Sequence, residues 1–297
     1  LRNCTVRTIQ MQNNDFAVFI LTHGRPDRVI TYDTLKRQGY TGKVYIIIDN
    51  EDKTAKEYYE NFGDMVVMFD KADIETRIDT GSNFGDRRTI LHARNASFEI
   101  AKKLGITYFL QLDDDYYEFQ FKINKEKKYP KQHFTIKSKL DCVFGLFLDY
   151  YKTIDAKSIA MAQGGDFFGG ENSFGKPPKR KCMNTFFCST ERSFRFSGTM
   201  NEDVNTYVSM GATGNLFLTI PLAMMNQMDT QSNAGGITEL YKRFGTYAKS
   251  FYTVMYAPSC TKIGMMGTTH KRLHHSINWK SAVPCIVSEE LRKKRDA

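Results

Sequence analysis

The sequence is poor in the features that mark several protein classes. Its six cysteines, Cys4, Cys142, Cys182, Cys188, Cys260 and Cys285, are scattered over 297 residues without a CxxC pair. That spacing argues against a disulfide scaffold or a zinc ribbon and makes a reduced, cytoplasmic compartment the expectation. Long apolar runs are also missing. The stretch from Leu216 to Met225 is broken by Thr219 and Pro221 and falls well short of the roughly 20 residues a membrane-spanning helix needs. The first fifteen residues lack the charged-then-apolar pattern of a secretion signal, so no membrane partner is expected. Only 7 residues are proline, while 25% are charged and 13% aromatic, a balance that excludes low-complexity and fibrous chains. No repeat or clean linker divides the chain, and a single domain, 1–297, is expected.

What is present is an alternation of strand-like and helix-like segments. Phe16 to Thr22 (FAVFILT), Val44 to Asp49 (VYIIID) and Met65 to Asp70 (MVVMFD) are short apolar runs ending in polar residues. Helical patterns separate them at Asp27 to Gln38 and Lys53 to Phe62. A longer helix, Arg88 to Leu104, is closed by Gly105. A fourth strand, Tyr108 to Leu112, runs directly into Asp113, Asp114 and Asp115. This order predicts an α/β fold: a mostly parallel sheet flanked by helices, with ligands at the carboxyl ends of the strands. Further along, Leu140 to Ala156 reads as a helix, and strands are expected at Ser158 to Gln163, Thr185 to Ser189 and Leu216 to Ile220, with Asn201-Glu202-Asp203 opening another helix.

Charge is unevenly placed. The chain carries 42 Lys and Arg against 33 Asp and Glu, a formal +9. Lys122 to Lys139 holds seven lysines and one glutamate. A second basic cluster spans Lys176 to Lys181 and a third Arg292 to Arg295. Such clusters suit phosphate neutralisation on nucleic acid, and equally a solvated charged face. The acidic triplet has two readings as well. It could be a solvated turn, or a site for a hard divalent cation, because alternate side chains at a strand end share a side and would bring Asp113 and Asp115 together while Asp114 points elsewhere.

The segments FAVFILTHGRPDR, VYIIIDNED, RTILHARNASFEIAKK and YFLQLDDDY, taken in order, resemble the nucleotide-binding half of GT-A glycosyltransferases, a Rossmann-like fold whose DxD signature carries the metal and the nucleotide diphosphate. With NEDVNTYV, THKRLHH and the basic insert, the chain is similar to the TET-associated glycosyltransferases of bacteriophages, which are implicated in adding sugars to 5-hydroxymethylcytosine in DNA. The resemblance implies a nucleotide-sugar-binding half over 15–117, an acceptor-side half over 118–275 with the basic insert at 122–139, and a tail over 276–297.

It also implies roles. Asp115 and Asp113 would hold Mn2+ or Mg2+, with His270 as a third ligand and His274 or His275 as alternatives. Thr22, Arg25, Asp49, Arg88, Arg94, Asp113 and Asp114 would contact the UDP-sugar. Asp203 would be the base that deprotonates the acceptor hydroxyl, with Glu202 beside it; a helix N-cap is the structural alternative. Lys125, Lys127, Lys128, Lys131, Lys179 and Arg180 would meet the DNA, with Phe134, Phe167, Phe168 and Phe174 as stacking partners for a displaced base. A glycosyltransferase with a protein or glycan acceptor, a nucleotidyltransferase, and a non-enzymatic basic DNA-binding module are the competing expectations.

Overall fold

The computed structural model describes residues 15–82, 87–124, 126, 134–167, 179–228, 237–267, 271–282 and 289, with backbone alone over 237–246. Strands β1 (Phe16–Leu21), β2 (Lys43–Asp49), β3 (Val66–Phe69) and β4 (Tyr108–Asp113) alternate with helices α1 (Ile30–Arg37), α2 (Ala55–Phe62), α3 (Lys71–Glu75) and α4 (Leu91–Lys103). The second half adds β5 (Tyr116–Phe121), β6 (Phe134–Thr135), α5 (Leu140–Thr153), β7 (Ser158–Ala162), β8 (Phe186–Ser189), α6 (Glu202–Ala212), β9 (Phe217–Gln227), α7 (Ile237–Tyr256), the β10 (Thr261–Met266) and β11 (Arg272–Ile277) ribbon, and α8 (Trp279–Ala282).

Nine strands form one sheet in the order β3-β2-β1-β4-β8-β7-β9-β5-β6. β3, β2, β1 and β4 are mutually parallel, and β8 and β5 are the reversed strands, so seven of the nine point the same way. The expected α/β fold with a mostly parallel sheet flanked by helices is the one observed.

All six residues of β1 are buried, as an apolar strand covered on both faces must be. Successive side chains alternate between two cores. Phe16, Val18 and Ile20 pack with Leu35 of α1, Tyr58 of α2 and Phe144 and Phe147 of α5, whereas Ala17, Phe19 and Leu21 pack with Ile74 of α3, Phe98 and Ile100 of α4 and Val204 and Tyr207 of α6. The helices thus sandwich the sheet, and the loops after β1, β2 and β4 meet at one end of it.

Several elements differ from expectation. β5 starts directly after the acidic triplet, whose Asp114 and Asp115 form the turn, in a stretch ahead of the basic insert for which no strand was expected. β9 continues through Pro221 to Gln227, because its pairing with β7 skips from Ile220 to Met224 and so accommodates the proline in an irregularity. α7 and the β10–β11 ribbon were not foreseen. Among the described residues no helix is long and apolar enough to cross a membrane.

Candidate active site

The end of β4 is the centre of the site. Asp113 ends the strand, and its Oδ1 accepts a hydrogen bond from Arg94 Nη2 at 3.0 Å. Asp114 turns toward the loop after β1. Its Oδ2 accepts from Thr22 Oγ1 at 2.7 Å and its Oδ1 from Arg25 Nη1 at 3.1 Å. Thr31 of α1 fixes the turn backbone, donating its hydroxyl to the Asp113 carbonyl at 2.6 Å and accepting from the Tyr116 amide at 2.9 Å. Two of the three carboxylates therefore have an arginine each. Asp115 is partly exposed, and burial together with the charges of Asp113 and Asp114 pushes its carboxyl up to about 7. Such a group sits where an added cation is favoured, since opposite charge would restore its ionised form.

Across the site, Glu202 and Asp203 begin α6. Glu202 Oε1 accepts from Arg94 Nε at 3.0 Å, so a single guanidinium spans the strand-end carboxylate and the helix-start carboxylate. Arg94 is 2% exposed, and its guanidinium carbon lies 4.8 Å from the Phe186 ring centroid and 5.8 Å from that of Phe196. Its fork geometry suits such a double bridge. Arg94 was expected to reach the nucleotide; burial between two carboxylates and two rings makes it an internal brace instead. Thr22 and Asp114, also assigned to the nucleotide, are 7% and 6% exposed and serve each other, with Tyr58 OH 2.8 Å from Thr22 Oγ1. Arg25 keeps part of its side chain in solvent, and Arg88 is exposed ahead of α4.

The entry to α6 is tightly constrained. Gly198 has φ +89°, and a Cβ there would lie 2.3 Å from Asn205 Nδ2, the group that donates to the Ser197 and Met200 carbonyls. Asn201 follows in the left-handed region at φ 55°, which asparagine tolerates better than most residues. Asn201 holds the N-cap position without a side-chain cap bond; its Nδ2 donates instead to the Lys249 carbonyl at 2.7 Å and Thr253 Oγ1 at 3.1 Å, and lies 3.4 Å from His275 Nδ1. Asp203 accepts from the amide of its neighbour Val204 at 2.7 Å. Capping in the usual sense does not account for the acidic pair. Burial, then the Glu202 charge, pushes the Asp203 carboxyl up to about 7, against the opposing pull of Arg94 and Lys249.

At the end of β2, Asp49 is 4% exposed. It accepts from His23 Nδ1 at 2.7 Å and meets Lys71 Nζ at 3.1 Å. Burial alone would raise its carboxyl, but the His23 hydrogen bond and the Lys71 charge outweigh it and hold the group below its ordinary value. The Asp49 hydrogen bond raises His23. Asp52 closes the cluster, accepting from the Gly24 amide at 2.7 Å and from Thr54 Oγ1 at 2.7 Å. His23, Lys71 and Asp52 were missed in the sequence, although His23 follows Thr22 in the strand-end loop and Lys71 opens the helix after β3.

The remaining expected residues disperse. His270, Lys125, Lys127, Lys128 and Lys131 lie outside the described residues, as do Phe168 and Phe174. Lys122 is 5% exposed, with its ammonium 4.6 Å from the Phe167 ring centroid, so this lysine and this ring are turned toward each other. Lys179 Nζ lies 3.3 Å and Lys181 Nζ 2.6 Å from Asp166 Oδ1; Lys179 is thus a partner of Asp166 as well as a surface charge. Arg180 is partly buried between them, while Phe134 is 45% exposed. Among the described residues no three His, Cys, Asp or Glu side chains gather into a metal-holding group. The fit to a divalent cation rests on the oxygen donors of Asp115 and Asp113.

Solved structures to which the chain shows a loose likeness include glucosyl-3-phosphoglycerate synthase from Mycobacterium tuberculosis, in complex with Mn2+, UDP and phosphoglyceric acid, at 10% identity and a TM-score of 0.46, covering 88% of this chain and 86% of that one. S. aureus TarS 1–349 in complex with UDP-GlcNAc is another, at 11% identity and a TM-score of 0.39, covering 77% of this chain and 64% of that one. No curated protein matches the chain. A family model described as TET-Associated Glycosyltransferase matches residues 16–236. The chain belongs to the TET-associated glycosyltransferase family, and it is a glycosyltransferase.

Proposed function

We propose that the protein transfers a glycosyl group from a UDP-sugar to the hydroxymethyl oxygen of 5-hydroxymethylcytosine in DNA. The observation that carries this reading is the bridge that Arg94 makes between strand-end Asp113 and helix-start Glu202, the chain neighbours of Asp114–Asp115 and Asp203. One set suits the diphosphate end of a donor and the other an acceptor hydroxyl. Family membership supports glycosyl transfer, and the lysine-rich segment Lys122 to Lys139 supports a polyanionic acceptor.

In this reading the acceptor oxygen attacks the anomeric carbon, the new C–O bond forms as the bond to the diphosphate breaks, and the nucleoside diphosphate leaves with the electron pair. Asp203 takes the hydroxyl proton; a carboxyl near 7 is suited to that exchange at neutral pH. Asp115, with Asp113, would hold Mn2+ or Mg2+, and His270 is the candidate third ligand. The ion would supply charge neutralisation for the leaving diphosphate. Arg25, the exposed side of the His23–Asp49 pair and Arg88 line the donor side. A target base in the duplex presents its 5-substituent in the major groove, and Asp203 would be reached by a flipped or single-stranded base.

The test is mass spectrometry of nucleosides from hydroxymethylated DNA incubated with a panel of UDP-sugars and Mn2+. The expected result is a hydroxymethylcytidine adduct heavier by one glycosyl residue, with UDP released. Unchanged nucleosides alongside transfer to a protein or glycan would overturn the DNA acceptor, and pyrophosphate release would replace transfer of sugar with transfer of a nucleotide.

A further inference from the structure

Over its described side chains, 247–256, helix α7 buries small polar residues beside Ala248 and Tyr252 and exposes large apolar ones. Its inward positions Ser250 and Thr253 are 1% and 0% exposed, whereas Tyr247, Phe251 and Met255, spaced four residues apart on one stripe, are 59%, 36% and 57% exposed. The inward face is polar because it serves the site: the Lys249 carbonyl and the Thr253 hydroxyl accept from Asn201, the residue before Glu202. The outward face has no such internal reason to be apolar. Tyr247 and Phe251 stand with ring centroids 4.5 Å apart and planes 36° from each other.

The β10–β11 ribbon packs beside this helix. Residues paired across the ribbon share a face, which places exposed Met266 opposite exposed Arg272 and exposed Lys262 opposite Ser276. Lys271 and Arg272 are exposed at the end of the ribbon strand that packs against α7, so a cationic edge stands beside the helix that carries the aromatic stripe. From Leu240 to Ser288 the chain has seven Lys and Arg and not one Asp or Glu. A segment that brings no acid of its own and exposes a close aromatic pair is matched to a polyanion with π-faces, Asp79 beside Tyr256 being an acid that another segment sets against α7.

We propose that the outer face of α7 and the adjoining ribbon form a nucleic-acid docking surface, on which Tyr247 and Phe251 stack on bases and Lys271 and Arg272 neutralise phosphates. It rests on the DNA acceptor reading and gives it a second contact region, separate from the basic insert. The helix that carries this surface also supports the acidic pair, because its inward side accepts from Asn201 at the start of α6.

The experiment measures affinity for a fluorescein-labelled hydroxymethylated single strand over a salt series, using the whole chain. Tyr247→Ala and Phe251→Ala should each weaken binding about tenfold with little change in salt slope. Lys271→Gln with Arg272→Gln should lower the slope of log affinity against log salt by about 0.7 per charge removed. Melting temperature and UDP binding check that each variant is folded. Wild-type protein that fails to bind the strand would sink the acceptor reading itself. Wild-type binding that survives all four substitutions would overturn this surface alone, as would a change of oligomeric state in the aromatic variants with DNA affinity untouched, which would identify a second copy as the occupant.

Discussion

Arg94→Met is the perturbation that most directly probes the site's architecture. Methionine keeps much of the apolar stem against Phe186 and Phe196 but removes both ionic bridges, leaving Asp113 and Glu202 facing each other without the cation between them. Removing one partner of a buried ionic arrangement costs about 3–5 kcal/mol, because the remaining charge stays desolvated. Asp113 keeps 25% of its side chain in solvent, which places the expectation at the lower end of that range. For a chain of this length, such a loss corresponds to a fall of about 5 °C in melting temperature. Arg94→Lys should recover part of it, since an ammonium can satisfy one carboxylate but lacks the fork that reaches both.

The chemical consequence separates bracing from mere packing. Arg94 lowers both Asp113 and Asp203 against the burial that raises them. Without it Asp203 moves further up, and the acid limb of kcat/KM against pH should shift to higher pH in Arg94→Met. Thermal unfolding and the pH–rate profile are read on the same preparation, with Arg94→Met/Glu202→Gln as the relieving double variant. A stability equal to wild type, or a lowered stability with an unmoved acid limb, would refute the bridge as the element that sets the charge state of the acids.

Asp115→Ala should abolish metal-dependent UDP binding while leaving the melting temperature near that of wild type, because, among the described residues, Asp113 and Asp114 each accept from an arginine and Asp115 does not; isothermal titration with and without Mn2+ reads the difference, and metal dependence that survives would remove Asp115 from the cation. Asp203→Asn should lose the chemical step and keep donor binding, and wild-type kcat/KM should rise with pH through about 7 as the carboxyl ionises; single-turnover rates with unimpaired Asp203→Asn would rule it out as the base. For His23 the sign follows from its raised folded value: the His23–Asp49 stabilisation is fully present below the ordinary histidine value and fades as pH rises through the raised one. The difference in melting temperature between wild type and His23→Gln should therefore be larger at about pH 5.5 than at about pH 8.5, and a difference independent of pH would contradict it.

The parts of the fold that were legible in the sequence are those whose signal is local. FAVFIL, VYIIID and YFLQLD are apolar runs bounded by polar residues, and each became a buried strand. The acidic triplet was visible for the same reason, standing at the abrupt end of such a run. β5 was hidden because it starts directly after three aspartates and runs into the lysines, so neither flank looks like a strand boundary. α7 was hidden by its inverse pattern: a rule that buries apolar residues assigns Tyr247, Phe251 and Met255 to a core they do not enter. Arg94 illustrates the deeper limit. Its helix was read correctly, but its partner Glu202 lies 108 positions away, and only the packing of α4 against the start of α6 decides that the guanidinium points inward to two acids instead of outward to a nucleotide.

That packing bears on how a glycosyltransferase site can be assembled from distant segments. The strand-end carboxylates are fixed by the parallel half of the sheet, through Thr31 and the loop after β1. The helix-start acids are fixed independently, by Gly198, Asn205 and the tie from Asn201 to α7. Two rigid supports would hold two acidic groups close together at an electrostatic cost that a buried site cannot screen. The cation between them removes that cost and also makes each group sensitive to the other: a change of charge at Asp113 alters the field at Arg94, and through it the protonation of Asp203. On the proposed reading, loading the Asp113–Asp115 side with a metal and diphosphate would thereby be felt at Asp203 through one side chain, with no movement of either support.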